Sequence, residues 1–448
     1  MLYLIYDMLL LLAVPLLVPW YLCRYVRRGR LRKGIGERLG FIPREKCSLL
    51  DGSETIWVHA VSVGETMAVR PLLKALKARY PERKIVLSTV TETGRGIAEK
   101  LPDADLCIYF PFDFRFAVQS ALEKVRPSLI VVVETEIWPN FLRHARLRGI
   151  PAVLANGRIS DKSFGGYRRF SWIFRPVLEN FSAFCMQTEE DARRIAAIGA
   201  PCSRVHVAGN LKYDIPVLIV PQEKKEKLRA KYRIPVGVPV VTFGSTHQGE
   251  EAAVLAACLT LSGEGREFFL VLAPRHPERA GEVEELLQRC GISFSRRSTL
   301  TERSRMFNPG ESLLVDTVGE LMDLYSISDL VFVGGSLVPV GGHNILEPAS
   351  LGVPVLFGPH MNNFREIASR ILGCGGGVQI EDSSMLTTVI RDLLDSPAAR
   401  QEMGEKGARL LQEHSGSTGR HMAIISSVQA EGRCGATGLR SPREHGDI

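Results

Sequence analysis

Short apolar runs rich in Val, Ile, Phe and Thr recur along this chain, separated by amphipathic stretches, and that alternation constrains the fold more than any other feature. In the first half the runs lie at residues 55–62, 84–91, 106–110, 128–134, 151–155, 183–187 and 204–208, with helical patterns such as 65–80 and 116–125 between them. Their hydrophobicity is nearly continuous, as in strands of a parallel sheet covered on both faces. A second series starts at 240–244, continues at 268–273, 312–316, 330–334 and 353–357, and ends in helical patterns at 385–394 and 398–414. Strands alternating with helices predict α/β architecture. Between the series lies the charged, Pro-punctuated segment PQEKKEKLRAKYRIPVGVP. A chain of 448 residues exceeds what one core usually supports. The sequence therefore divides into domains at residues 34–220 and 221–425, with 1–33 ahead of them and a tail, 426–448, that reads as disordered. Neither half carries a G-x-G-x-x-G fingerprint, so two Rossmann-like domains facing a cleft are expected to bind ligands at the carboxyl ends of their strands.

Residues 1–23, MLYLIYDMLLLLAVPLLVPWYLC, are about long enough to cross a hydrocarbon core as a helix, and Asp7 is their one charge. Arg24, Arg27, Arg28, Arg30, Arg32 and Lys33 follow directly. Positive charge behind the apolar run, with no A-x-A site, argues against a cleaved signal peptide and puts the downstream chain on the cytoplasmic side of a membrane. Trp20, Tyr21 and Tyr25 are expected at the interface. Asp7, Pro15 and Pro19 weaken a simple span, so crossing the bilayer and lying in its surface both fit. The net charge of +7 clusters beside this segment, which excludes a nucleic-acid binder and fits an anionic membrane surface. The nine cysteines are scattered without ligand spacing, so neither a zinc site nor a disulfide framework is indicated.

Chemistry is then sought at strand ends. Glu65, in HAVSVGET, opens a helix after the first run, beside a glycine that leaves room for a hydroxyl whose proton the carboxylate could accept; an ordinary acid in a first helical turn also fits. In VVVETEIWPN the run delivers Glu134 towards the cleft, with Glu136 capping the next helix, or both acids cap or pair with Arg143 or Arg146. Lys212, in GNLKYD, lies at the hinge and suits an anionic leaving group, unless it is a plain solvated lysine. In the second half Pro274 and Arg275 follow a strand, and Arg275 can grip a phosphate with its fork of donors. Val318, Gly319 and Glu320 open a helix whose amides form an anion site. Glycines at 334–335 and 341–342 precede Asn344, Ile345, Leu346 and Glu347, in which Asn344 and Glu347 share a helical face and the acid can accept ribose hydroxyls. The Asp103/Asp105 pair precedes a strand and reads as a turn, with no catalytic metal expected.

HAVSVGET, STVTETG, VVVETEIWPN, GNLKYD, GSTHQGEE, APRHPER, DTVGEL and FVGGSLVPVGGHNILEPA, in this order, resemble the 3-deoxy-D-manno-octulosonic acid (Kdo) transferases of lipopolysaccharide biosynthesis. The resemblance runs from the N-terminal apolar segment to about residue 420. It implies a GT-B fold, with the acceptor, a lipid A precursor (lipid IVA), in the first domain and CMP-Kdo in the second. It further implies inversion at the anomeric carbon without a metal or other cofactor, at the cytoplasmic face of the inner membrane. In it Glu65 matches the general base, and Glu134 and Lys212 match positions that stabilise the transition state. Pro274, Arg275, Val318, Gly319, Glu320 and the run Asn344, Ile345, Leu346, Glu347 match CMP contacts. A nucleotide-sugar epimerase of the same shape, or a silent membrane scaffold, are the rival readings; the apolar segment counts against the first, the retained Glu65 and Arg275 against the second.

Overall fold

The computed structural model describes residues 2–28, 34–50, 52–308 and 310–437; the side chains of residues 16–28 and 432–437 lie outside that description. The apolar runs become strands. In the first sheet these are β1 (Thr55–His59), β2 (Lys84–Thr89), β3 (Leu106–Tyr109), β4 (Pro127–Val133), β5 (Ala152–Gly157), β6 (Ala183–Met186) and β7 (Val205–Val207). Their order is β3-β2-β1-β4-β5-β6-β7, and neighbouring strands pair in parallel. The second sheet holds β8 (Val240–Thr246), β9 (Phe269–Pro274), β10 (Phe294–Arg296), β11 (Ser312–Leu314), β12 (Leu330–Val333), β13 (Val355–Phe357) and β14 (Gly377–Gln379). It is ordered β10-β11-β9-β8-β12-β13-β14, again in parallel. Strand β1 shows why its run is unbroken: Ile56 and Val58 are buried in the core on one face of the sheet, while Trp57 is buried in the core on the other.

The described chain forms two compact units. Unit 2 is residues 215–415, and unit 1 is the chain before it together with everything from Gly416 onward. The first crossing therefore falls after Asp214, six residues before the boundary read at 220/221, and the C-terminal segment belongs to the first unit. Asp214 explains both: its carboxylate accepts from the backbone of Gly416 (2.8 Å) and Thr418 (2.6 Å). Part of the tail read as disordered, residues 426–437, lies in the helix Ser417–Thr437. Ile425 and Val428 from that helix are buried with Val58, Leu72 and Leu76. Residues 438–448 lie outside the described residues.

The N-terminal segment forms a helix, Leu2–Arg28. Among the described residues no helix is long and apolar enough to cross a membrane. Its first turns are held to unit 1 by polar contacts. Tyr6 Oη donates to Asp113 (3.0 Å), Asn140 Nδ2 donates to Asp7 (2.6 Å), and Asn180 Nδ2 donates to Tyr3 Oη (2.8 Å). Leu4, Ile5, Met8, Leu9, Leu11 and Leu12 remain exposed. The side chains of Trp20, Tyr21, Tyr25 and the basic cluster 24–33 lie outside the described residues.

Candidate active site

In the first unit, β1 runs into the helix Val63–Arg79 through a capping box. Ser62 is the N-cap. Its hydroxyl donates to Glu65 Oε1 (2.8 Å) and the Val61 amide donates to Oε2 (2.8 Å), so both carboxyl oxygens are oriented. Gly64 beside it is exposed, and a β-carbon there would meet nothing nearer than the Ser62 hydroxyl at 3.9 Å. Glu65 itself is only 9% exposed. Burial is the main cause that raises its pKa to about 7; the Val61 and Ser62 hydrogen bonds oppose the rise, and the neighbouring Glu134 and Glu136 add to it. Although a helix start favours an ionised acid, desolvation here outweighs that preference.

Glu134 leaves β4 with φ 61°, and its amide donates to Ala155 O (2.9 Å). Its side chain pairs with Lys212 (3.2 Å), which sits in the turn Leu211–Tyr213. The structure thus joins two of the residues singled out from sequence, and Lys212 is not a free solvated lysine. That turn is built by Asn210, whose side chain accepts from the Lys212 amide (2.9 Å), and by Asn156, which accepts from Leu211 (3.0 Å). Glu136 does not cap the next helix, Pro139–Leu147. Asp113 does so instead, accepting from the Asn140 and Phe141 amides (2.9 and 2.8 Å). Burial, reinforced by Glu134, raises the Glu136 carboxyl. Asp105 of the D-x-D triplet is consumed by Lys77 (2.6 Å), Lys84 and the Ile85 amide, as a turn residue should be.

In the second unit, Pro274 ends β9 and the Arg275 amide donates to Thr246 O (2.9 Å). The Arg275 side chain is exposed, and among the described residues no hydrogen bond or ion pair falls on its guanidinium. Val318 is 85% exposed and Gly319 has φ 90° with open space at its α-carbon. Glu320 differs from its neighbours. It accepts from Thr317 (2.6 Å) and pairs with Arg297 (3.0 Å) and Lys231 (3.1 Å), contacts that outweigh its burial and lower its pKa to about 2. A ligand at this loop therefore meets Val318 and Gly319 more readily than the Glu320 carboxylate. Asn344 donates to Glu347 (3.2 Å) and accepts from Leu346 N (3.2 Å), so this pair is joined directly at the start of the helix Leu346–Ser350, while Ile345 and Leu346 are buried beneath it.

A family model described as 3-deoxy-D-manno-octulosonic-acid transferase (kdotransferase) matches residues 33–215. The 3-deoxy-D-manno-octulosonic acid transferase of Haemophilus influenzae is 33% identical over 423 residues, covering 94% of this chain and 97% of that one. The chain belongs to the Kdo transferase family. A second relative, the 3-deoxy-D-manno-octulosonic acid transferase of Bordetella pertussis, is 33% identical over 83% of this chain and 86% of its own. Among solved structures, MurG of Acinetobacter baumannii superposes with a TM-score of 0.51 at 11% identity, over 84% of this chain and 99% of that one. At that identity the likeness shows the fold, α/β of the GT-B type, and nothing about substrate.

One buried acid of this Kdo transferase that braces its turns was not singled out from sequence. Glu250, fully buried, accepts from four backbone amides: His247 (2.8 Å), Gly335 (2.7 Å), Ser336 (2.9 Å) and Leu337 (2.8 Å). It ties the Gly-rich turn after β12 to the turn after β8. Its signal was the acidic pair in GSTHQGEE, which resembles a helix start; indeed Glu250 opens the helix Glu250–Gly263. Glu251, beside it, is held by Arg279 (2.8 Å).

Proposed function

We propose that this Kdo transferase moves Kdo from CMP-Kdo to a lipid A precursor, lipid IVA, with inversion at the anomeric carbon and without a metal. An acceptor hydroxyl oxygen attacks the anomeric carbon, and Glu65 takes its proton. The bond from that carbon to the phosphate oxygen breaks, and its electron pair leaves with CMP. Arg275, an uncommitted guanidinium at a strand end, neutralises the departing phosphate, with Pro274, Val318, Gly319 and the Asn344–Glu347 turn lining the nucleotide. Glu134 and Lys212 stabilise the charge that develops as the bond breaks.

The observation that carries this reading is Glu65: a buried, oriented carboxyl whose proton affinity lies near neutral pH, where a general base works best. The N-terminal helix supports an acceptor that lives in a membrane. Its polar residues Tyr3, Tyr6 and Asp7 are committed to unit 1, while Leu4, Ile5, Met8, Leu9, Leu11 and Leu12 face outward. That division fits a helix lying in the surface of an anionic inner membrane on its cytoplasmic side, not one that crosses it. Exposed Phe170 and Trp172, beside Arg168 and Arg169, offer the same mixture of apolar and basic groups.

The test is transfer to tetraacyl lipid A precursor from CMP-Kdo generated in situ, with EDTA present and products weighed by mass spectrometry. Products that grow by Kdo units with wild type, and disappear with folded Glu65→Ala, are expected. Absence of transfer by folded wild type overturns the assignment, undiminished transfer by the variant removes Glu65 as base, and activity that EDTA abolishes and a divalent ion restores overturns the metal-free mechanism.

A further inference from the structure

Three histidines of the second unit gather where its turns meet. His247 follows β8, whose regular pairing breaks at Ser245 (φ 57°). His343 follows Gly341 and Gly342, both with positive φ. The two rings stack at 5.1 Å with an interplanar angle of 10°, and their Nε2 atoms face each other at 2.8 Å. His276 meets His247 edge-on at 5.8 Å. A side chain at Gly335 would come within 3.0 Å of His343 and 3.3 Å of His247, so glycine there is a condition of the pair. Glu250 holds both the His247 amide and the Gly335 amide, which fixes the pair from beneath.

Two Nε2 atoms at this distance can share one proton but not hold two, so the pair carries charge zero or +1. Among the described residues the hydrogen bond of the pair is the one between the Nε2 atoms, so each Nδ1 keeps its bonding capacity. The titratable and charged groups facing the pair are Glu250, Glu251, Arg275, His276 and Arg279. Glu250 is saturated by amides and Glu251 is paired with Arg279. Burial foremost, and then the neighbouring His247, Arg275 and His276, lower the His343 pKa to about 4; burial foremost also lowers that of His247. These effects favour the neutral form of the pair, and an arriving anion would favour its protonation.

We propose that the His247–His343 pair is an anion subsite of the donor site, which receives an acidic oxygen of the donor and takes up one proton from solvent as it does so. This rests on the donor reading above. The acidic oxygen can belong to the nucleotide phosphate or to the carboxylate of the sugar acid, and the two share the same chemistry.

Calorimetric titration of the full chain with CMP, with cytidine, and with free Kdo in the presence of cytidine tests it, in buffers of different ionisation enthalpy between pH 6 and 8. CMP has its own titrating phosphate, of pKa roughly 6, so uptake is read as wild type minus His247→Gln and wild type minus His343→Gln. The expected difference approaches one proton for an anionic probe and zero for cytidine. Wild-type affinity for that probe should rise about tenfold more than the variants' between pH 7.5 and 6. Uptake with CMP assigns the subsite to phosphate, and uptake with Kdo alone assigns it to carboxylate. Equal uptake by wild type and both variants overturns the inference, as does no uptake with either anion. Failure of CMP to bind folded wild type overturns the donor reading, and this inference with it.

Discussion

Replacing Glu65 with glutamine should remove activity and stabilise the fold at the same time. Glu65 ionises near 4.5 in an unfolded chain and near 7 in the folded one. Between those values the folded state holds the extra proton, so stability falls as pH rises, and the full loss is present above pH 7. Raising a carboxyl by that much makes its ionised form about 3 kcal/mol less favourable in the fold. Glutamine has the same shape, keeps an acceptor for Val61 N, and never ionises. Denaturant unfolding at pH 5 should give wild type and Glu65→Gln similar stabilities. At pH 8 the variant should be more stable by up to about 3 kcal/mol, while transfer falls roughly 10²–10⁴-fold. A stability difference that does not change between pH 5 and 8 would falsify the assignment of a strongly perturbed carboxyl, whatever the activity does.

The same acid predicts that wild-type kcat/KM drops about tenfold per pH unit below pH 7 and levels off above it; a profile flat down to pH 5 would contradict the role of Glu65 as base. Arg275→Ala should weaken CMP binding by roughly 10- to 100-fold, the worth of charge-assisted hydrogen bonds, with little change in unfolding midpoint because among the described residues no hydrogen bond or ion pair falls on that guanidinium; unchanged affinity counts against it as the phosphate ligand. Glu250→Ala leaves four amides without their acceptor and should destabilise the second unit by about 3–5 kcal/mol, with faster hydrogen exchange at Gly335 to Leu337; a loss under about 1 kcal/mol would show that water replaces the carboxylate. Asp113→Ala uncaps the helix Pro139–Leu147 and releases Tyr6, so it should cost about 1–2 kcal/mol and speed proteolysis within the N-terminal helix; an unaltered digestion pattern would show that Asp7 and Tyr3 suffice to hold it.

The long parallel strands were legible because both of their faces are buried, so composition alone marked them. Strands β10 and β14 were not, since FSR and GVQ are three-residue edge strands in which no apolar pattern can show. The C-terminal helix escaped because its buried residues, such as Ile425 and Val428, are few and its end is polar, so only tertiary docking reveals it. Among the candidate residues, Glu65, Glu134 and Arg275 could be singled out because acids and arginines at strand ends need a reason to be there. The proton affinity of Glu65 could not, because it depends on burial and on acids distant in sequence. Glu250 and the histidine pair were equally hidden, since each joins turns about 85 to 96 residues apart.

The return of Ser417–Thr437 to the first unit has a consequence for synthesis. A ribosome making this chain completes the second unit, residues 215–415, before it delivers the helix that covers Val58 and Leu72 of the first. Until then the first unit displays an apolar face and lacks the crossing held by Asp214. Its N-terminal helix is by then long since made, so the first unit holds both of its earlier parts ready and closes its core only after the whole of the second has been synthesised.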